Sequence, residues 1–528
     1  MRTSSRLLCA VVGLATAVGM LASPAVARRE GRPQGRTATR AIVFGRDAGV
    51  SSRKATSFDV FGRQARPFLS APGAAGASSP LAPVLVGAGF DALADPLSKP
   101  SDTTGALGDT FYVAAVNTQM AVYDRNGIQV VVPIPLSQLH VSSTGLFVFD
   151  PKVIYDPYRD TFVLVYLVQE NSPRLSRIIS VAIPNATASD PTTWCAVSFK
   201  GDQVPGATAA WADYPGIGFN ETHVTITTNM FTFPTGTARF LYSQVMTIDK
   251  VGLYDCNQPM PTPTVFAGTK TRDDRGRQGF TLRPAETVGA TPGPQLLTSF
   301  QPVKGNADYL TVWRIKSTAS GFALKRASKR TGKVSFPPLG TQGGGDPNDA
   351  GLWWDAGDHR FINAFYDADR NQLFTAHTVF RNFQPDTVTG AYPEAAVRWY
   401  EIDPAAMLKN TVVARRGIVG APEVDVGWPT VATDSTGTLF VNYSRGSAPH
   451  GEFLSAWVAT IPPGSTAATQ LLVHAGLTTY DALQGPERWG DFTAINRDPL
   501  DGQNVATFNQ YASTATQWQQ FISVVTDT

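Results

Sequence analysis

Phe149-Asp-Pro-Lys-Val-Ile-Tyr-Asp156 stacks without gaps on four other stretches of the chain. They are Asp213-Tyr-Pro-Gly-Ile-Gly-Phe-Asn220, Arg360-Phe-Ile-Asn-Ala-Phe-Tyr-Asp367, Gly427-Trp-Pro-Thr-Val-Ala-Thr-Asp434 and Asp491-Phe-Thr-Ala-Ile-Asn-Arg-Asp498. The last column is always Asp or Asn, the fifth is always apolar, and the third is Pro in the segments that begin at Phe149, Asp213 and Gly427. Each segment reads as a short strand running into a turn. Asp or Asn suits that turn because its side chain accepts a hydrogen bond from a backbone N–H two residues on. Pro at a strand start has no ladder donor to lose.

Outward from each turn the pattern continues. A second strand is expected at 161–168, 224–228, 373–379, 439–443 and 505–511, and a third at 177–183, 241–248, 397–402, 454–461 and 517–525. A fourth is visible at 194–199 and 470–474. The unit recurs roughly every 60–70 residues, the period of a four-stranded propeller blade. Two less regular units are expected, one from Arg283 with strands at 295–300 and 309–315, the other over 86–135 with strands at 111–116, 120–123 and 130–134. The fold expected is all-β: a β-propeller of about seven four-stranded blades, closed by an N-terminal strand. The last unit runs out after its third strand, and Ala41-Ile42-Val43-Phe44 is the segment expected to complete it.

Composition agrees with this architecture. Charged residues are only 16%, and 47 Gly with 38 Pro suit short strands and many tight turns. Arg2 and Arg6, an apolar stretch from Leu7 to Met20 and the small-x-small sequence Ala25-Val26-Ala27 read as a signal peptide over 1–27, so the protein is expected to be secreted. No later stretch has the length and apolarity of a membrane span. Without Arg2 and Arg6 the 44 basic side chains come level with the 42 acidic ones, which gives no electrostatic case for nucleic acid. Residues 28–85 form a basic leader rich in Ala, Gly, Ser and Pro; it reads as a solvated tail, or as a tether to an anionic cell surface. The propeller is expected over 86–528, as a monomer.

Cys195 and Cys256 remain after cleavage, and an exported chain can pair them across neighbouring blades. The alternative is two separate thiols. No His/Cys cluster has metal-ligand spacing, and no cofactor is implied.

Several runs carry a resemblance: Ala115-Val116-Asn117, Val122-Tyr123-Asp124-Arg125-Asn126-Gly127, Asp190-Pro191-Thr192-Thr193-Trp194, Asp213-Tyr214-Pro215-Gly216 and Arg488-Trp489-Gly490-Asp491. With Asp150–Asp156 they resemble a group of uncharacterised secreted bacterial β-propeller proteins, over most of 86–528. The layout is also similar in outline to sialidase-type propellers. That comparison implies Asp-boxes, an arginine triad, a Tyr/Glu pair and an Asp acid. Here Asp434-Ser-Thr-Gly-Thr-Leu-Phe440 and Ser189-Asp-Pro-Thr-Thr-Trp194 approximate the box only loosely, and Arg360 is the only arginine in the first column.

First strands of a propeller line its channel, so the early columns mark the channel mouth. Asp150, Asp213, Arg360 and Asp491 are expected to surround one opening, where carboxyls beside an arginine can bind a ligand or act as acid and base. They can equally serve structure, by accepting from free N–H groups at strand starts. Trp428 and Trp489 are candidate sugar platforms or inter-blade packing, and Trp353-Trp354 is the expected exposed aromatic pair. The expected role is an extracellular binding or scaffold module for a glycan or surface protein. The alternative is a sialidase-like glycoside hydrolase.

Overall fold

The computed structural model describes residues 45–47, 82–171, 173–204, 210–233, 238–302, 308–318, 321–344, 349–383, 394–407 and 413–527. The protein is all-β: the described helices are single turns or little more.

Strands fall into groups in chain order. The second group shows the plan: Phe147–Asp156, Thr161–Asn171, Arg174–Pro184 and Cys195–Lys200 pair consecutively and antiparallel. The first group runs from Thr104–Leu107 to Gln129–Pro135, and the third from Ala210–Phe219 to Thr264–Phe266. The fourth runs from Arg283–Val288 to Gly321–Gly332, the fifth from Ala364–Asp367 to Val413–Val419, and the sixth from Asp425–Thr433 to Thr469–His474. The last holds Ala494–Arg497, Asn504–Thr514 and Gln517–Asp527. The two irregular units expected from sequence are the first and fourth groups.

Second strands read as nearly continuous apolar runs. Thr161–Asn171 is buried from Thr161 to Val168, because both faces of its sheet are covered by neighbouring sheets. One face packs with the first group and the other with the third. First strands lie side by side. Thr104–Leu107 contacts Phe147–Asp156, and the contact passes from group to group until Ala494–Arg497 returns to Thr104–Leu107. Hydrogen bonds do not follow the whole circuit. Among the described residues, only the first strands of the third, fourth and fifth groups pair with one another, in parallel.

The turn column behaves as its chemistry demands. Oδ1 of Asp156 accepts from Tyr158 N–H at 3.1 Å, that of Asp434 from Thr436 N–H at 2.9 Å, and that of Asp498 from Leu500 N–H at 2.9 Å. Asn220 does the same for Thr222 at 3.1 Å. Asp367 caps one residue later, accepting from Arg370 N–H at 3.1 Å.

The N-terminal side differs from expectation. Ala41-Ile42-Val43-Phe44 lies outside the described residues, as do 1–27 and most of the basic leader. The adjoining Gly45–Asp47 pairs in parallel with Cys195–Lys200, on the edge of the second group. The outer edge of the last group is instead covered by Pro83–Leu85, antiparallel to Gln517–Asp527 with Leu85 opposite Val525. Strand pairing therefore begins before residue 86.

Cys195 and Cys256 form a disulfide with Cα atoms 5.4 Å apart. It ties the fourth strand of the second group to the segment after the short helix Lys250–Tyr254, which follows the third strand of the next group. Among the described residues no helix is long and apolar enough to cross a membrane.

Candidate functional site

At the start of the first strands the backbone turns left-handed on residues other than glycine. The positions are Asp102 (φ 51°), Asp150 (φ 53°), Tyr214 (φ 52°), Thr281 (φ 52°), Trp428 (φ 56°) and Asp491 (φ 62°). In three groups the pairing slips at this point, between Phe149 and Lys152, Asp213 and Gly216, and Gly427 and Thr430. Such a bulge re-aims one side chain out of the strand's alternation. A left-handed non-glycine residue costs about 1 kcal/mol or more, so its recurrence at one end of the sheets marks a place where surrounding contacts over-determine the backbone.

The carboxyls meet there. Oδ2 of Asp150 accepts from the Tyr214 N–H at 2.9 Å, and the Asp150 N–H donates to Asn117 Oδ1 at 3.1 Å. Asp102 is 1% exposed and its N–H donates to the Gly490 carbonyl at 3.1 Å. Burial, then the charges of Asp150 and Asp491, push the Asp102 carboxyl well above the usual range. Burial and Asp491 push Asp150 up to about 6. Asp213 is likewise pushed well up, by burial and then Asp150, with Arg360 opposing. Asp355, whose carboxylate accepts from Gly357 N–H at 2.9 Å, is raised to about 6 by burial and Asp491.

The cations are engaged. Arg360 Nε contacts Asp358 Oδ2 at 2.7 Å, and its guanidinium carbon lies 3.9 Å from the Tyr214 ring centroid. Arg488 pairs with Asp491. Asp150, Asp213, Arg360 and Asp491 are thus brought within electrostatic reach of one another, and each keeps a small face open to solvent. Among the described residues no group of His, Cys, Asp and Glu has the geometry to hold a metal ion.

The aromatic expectations need correction. Trp354, Trp428 and Trp489 are 0%, 1% and 0% exposed, in one apolar cluster with Phe492 and Phe508. Trp354 Nε1 donates to the Thr341 carbonyl at 2.9 Å, and Trp428 Nε1 to that of Asp355 at 2.7 Å. Trp489 packs edge-on to Tyr480 at 5.1 Å. They fill the space between sheets, where large rings bury most area, and present no face to a sugar. Trp353 is half-buried.

Below the mouth runs a narrow channel lined by every first strand or the segment leading into it, including Thr104, Lys152, Glu286, Asn363, Thr430 and Asn496. It has room for a few waters and not for a sugar ring. Burial raises Glu286, on its wall, to about 8.

Sequence reasoning missed Asp102, Asp355, Arg488 and the channel cations Lys152 and Arg283. Asp102 escaped because the interval from it to Asp109 is one residue longer than from Asp150 to Asp156, which defeats a gapless alignment. Arg488 stands three residues before Asp491, and the signal there was its opposite charge.

A scan against family models finds no match, and neither does a search of curated proteins. Among solved structures, the chain is similar to a Trypanosoma rangeli sialidase in complex with the inhibitor DANA, at 8% identity over 82% of this chain and 59% of that one, with a TM-score of 0.37. It is similar to the GH93 alpha-L-arabinofuranosidase of Fusarium graminearum at 10% identity, over 83% and 98% of the two chains, TM-score 0.37. A Synechocystis apocarotenoid oxygenase matches at 10% identity, over 72% of each chain, TM-score 0.38. No activity is carried over from these proteins to this chain.

Proposed function

We propose that the chain is exported, with a signal peptide over 1–27 and a basic leader after it, and that its strand groups are the seven blades of one propeller. Pro83–Leu85 supplies the strand that completes the last blade. The propeller acts as a monomeric extracellular binding or scaffold module for a glycan or a surface protein, and the basic leader adds a contact to an anionic surface.

One observation carries this reading. The circuit of first strands gathers Asp150, Asp213, Asp491 and Arg360 at one rigid mouth, with carboxyl oxygens able to accept from hydroxyl groups of a ligand. Their charges are already answered by Arg488, Asp358 and backbone N–H groups, which suits recognition more than turnover.

A second reading, a glycoside hydrolase, is favoured by the Asp102–Asp150 pair, two neighbouring carboxyls that burial and mutual repulsion push up, Asp150 to about 6.

The test is a glycan array and a panel of chromogenic glycosides with the exported chain. Binding that Asp213→Asn or Asp491→Asn weakens, without turnover, supports the module. Turnover abolished by either substitution establishes the hydrolase instead. Silence in both assays removes the glycan from the proposal.

A further inference from the structure

Between Asp308 and Asp346 the chain carries seven Lys or Arg side chains and no acid, although the whole chain holds 44 basic and 42 acidic ones. All but Lys333 lie on Gly321–Gly332, the outermost strand of the fourth group, or on Asp308–Thr318 beside it. Alternation divides them between the two faces of the sheet. Arg314, Lys316, Lys325 and Lys329 share one face, with Arg314 directly opposite Lys325. Like charges in that position repel and cost stability. Among the described residues none of these four pairs with an acid, whereas Lys333 contacts Asp308 at 3.2 Å.

The other face meets the segment that leads in from the third group, and more cations gather there. Arg326 Nη1 donates to the Lys270 carbonyl at 3.4 Å, and Ser328 N–H to Asp274 Oδ2 at 3.2 Å. The guanidinium carbons of Arg275 and Arg277 lie 4.6 and 3.9 Å from the Tyr309 ring centroid, and Tyr309 stands directly opposite Arg330 in the ladder. Asp273 answers Arg277. Lys270, Arg272, Arg275 and Arg330 are exposed. Lysine on a sheet edge often serves to block pairing with another chain. That role does not account for this patch. The outer strands Gln129–Pro135, Thr264–Phe266 and Thr469–His474 carry no Lys or Arg, and the cations of 270–277 belong to a different segment from the edge.

We propose that this rim of the fourth group binds a linear acidic polysaccharide through its carboxylate or sulfate groups. The stretch from Lys325 to Lys333 covers roughly 25 Å at the rise of an extended chain, more than one small anion spans. Arginine presents a fixed fork of donors that matches such oxyanions, and a bound polyanion offsets the repulsion between Arg314 and Lys325. A single-stranded nucleic acid fits less well, because Arg275 and Arg277 already lie against the Tyr309 ring on which a base would stack. A lipid surface fits less well too, because among the described residues from 270 to 333 no large apolar side chain is exposed for insertion. The rim lies three strands out from Arg283–Val288, roughly 14 Å at the spacing of strands in a sheet. The mouth takes no part in it, and the proposal stands apart from the ligand assigned there.

The experiment uses the full chain on columns of polygalacturonate, dextran sulfate and neutral dextran. Retention on one or both acidic columns, released by added salt, is expected, with none on neutral dextran. The stronger of the two acidic columns tells carboxylate from sulfate. Arg275→Gln/Lys325→Gln changes two exposed side chains and is expected to bind about tenfold more weakly, with the melting temperature kept. Lys316→Gln/Lys329→Gln repeats the comparison should the first variant melt lower. No retention on either acidic column overturns the proposal. Equal binding by parent and variants overturns it as well, since the basic leader, which they keep, then carries the contact. Tighter binding to double-stranded DNA or to phosphatidylglycerol vesicles than to either polysaccharide overturns the choice of partner.

Discussion

The Lys250 ammonium lies 2.6 Å from Oδ2 of Asp156, and both side chains are shut away from solvent. Lys250 starts the short helix after the third strand of the third group, whereas Asp156 ends the first strand of the second. The residue that caps a local turn is therefore also the counter-ion of its neighbour, and the Tyr254 hydroxyl donates to the same oxygen at 2.8 Å. The arrangement recurs. Arg125 of the first group grips both oxygens of Asp498 of the last, at 2.9 and 2.7 Å, and Arg497 of the last reaches Asp367 of the fifth at 2.8 Å.

Asp156→Ala should cost far more than a lost turn cap. It strands a fully buried ammonium, which typically destabilises by about 3–5 kcal/mol. Asp434→Ala removes acceptors for the Thr436 and Thr438 N–H groups and the Thr436 hydroxyl, and strands no charge in contact with it, so it should cost about 1–2 kcal/mol. Guanidinium chloride unfolding of both variants gives the comparison, and equal losses would show that the Lys250 pair contributes nothing.

The disulfide should matter to stability independently of the site. It closes a sequence separation of 61 residues, and constraining a loop of that size in the unfolded chain is worth about 4 kcal/mol at most, with 2–4 typical. The Cys195→Ser/Cys256→Ser double variant should unfold at correspondingly lower denaturant. An unchanged midpoint would mean the unfolded chain is already compact between these residues.

Asp355 predicts a pH dependence. Its carboxyl is raised to about 6 in the fold against a usual value near 3.9, so the folded state holds the proton more tightly. Its contribution to stability therefore falls as pH rises from about 4 through about 6, and then levels off. Asp355→Asn keeps an acceptor for the Gly357 N–H and carries no charge. Its stability relative to the parent should rise by on the order of 2–3 kcal/mol between pH 4 and pH 7. Urea titrations at pH 4, 5, 6 and 7 measure this, and a difference that stays flat would place Asp355 in a well-solvated setting.

Gly427 occupies a column filled elsewhere by Phe149, Asp213, Arg360 and Asp491. A Cβ there would run into the backbone carbonyl of Ala356, which cannot swing aside as a side chain can. Gly427→Ala should therefore cost about 2–3 kcal/mol or more in thermal unfolding, although the strand itself would gain propensity.

Much of the architecture could be read along the chain, because a turn is a local event. An Asp or Asn at the end of five of the first strands finds its N–H partner two or three residues away, and the apolar second strands follow at once. The expected bounds of those strands fell short by a few residues where polar ends such as Gln169–Asn171 still pair with Arg174–Ser176 across the hairpin. The site was half legible. Asp150, Asp213, Arg360 and Asp491 share early columns, whereas Asp102 lies in a unit whose spacing departs from the repeat and Asp355 lies ahead of the aligned segment of its unit. The tryptophans misled because an aromatic residue beside a polar one reads the same whether it faces solvent or the next sheet.

The sequence by itself determined the all-β class, the repeat and the turn caps, since each depends on residues close together in the chain. Only the tertiary structure decided which acid meets which base, that Pro83–Leu85 covers the last edge, and that Lys152 and Arg283 face one channel. Many of those pairings join residues far apart in the chain, such as Asp156 with Lys250 and Arg125 with Asp498, and the burial that shifts charges exists only once the sheets have packed.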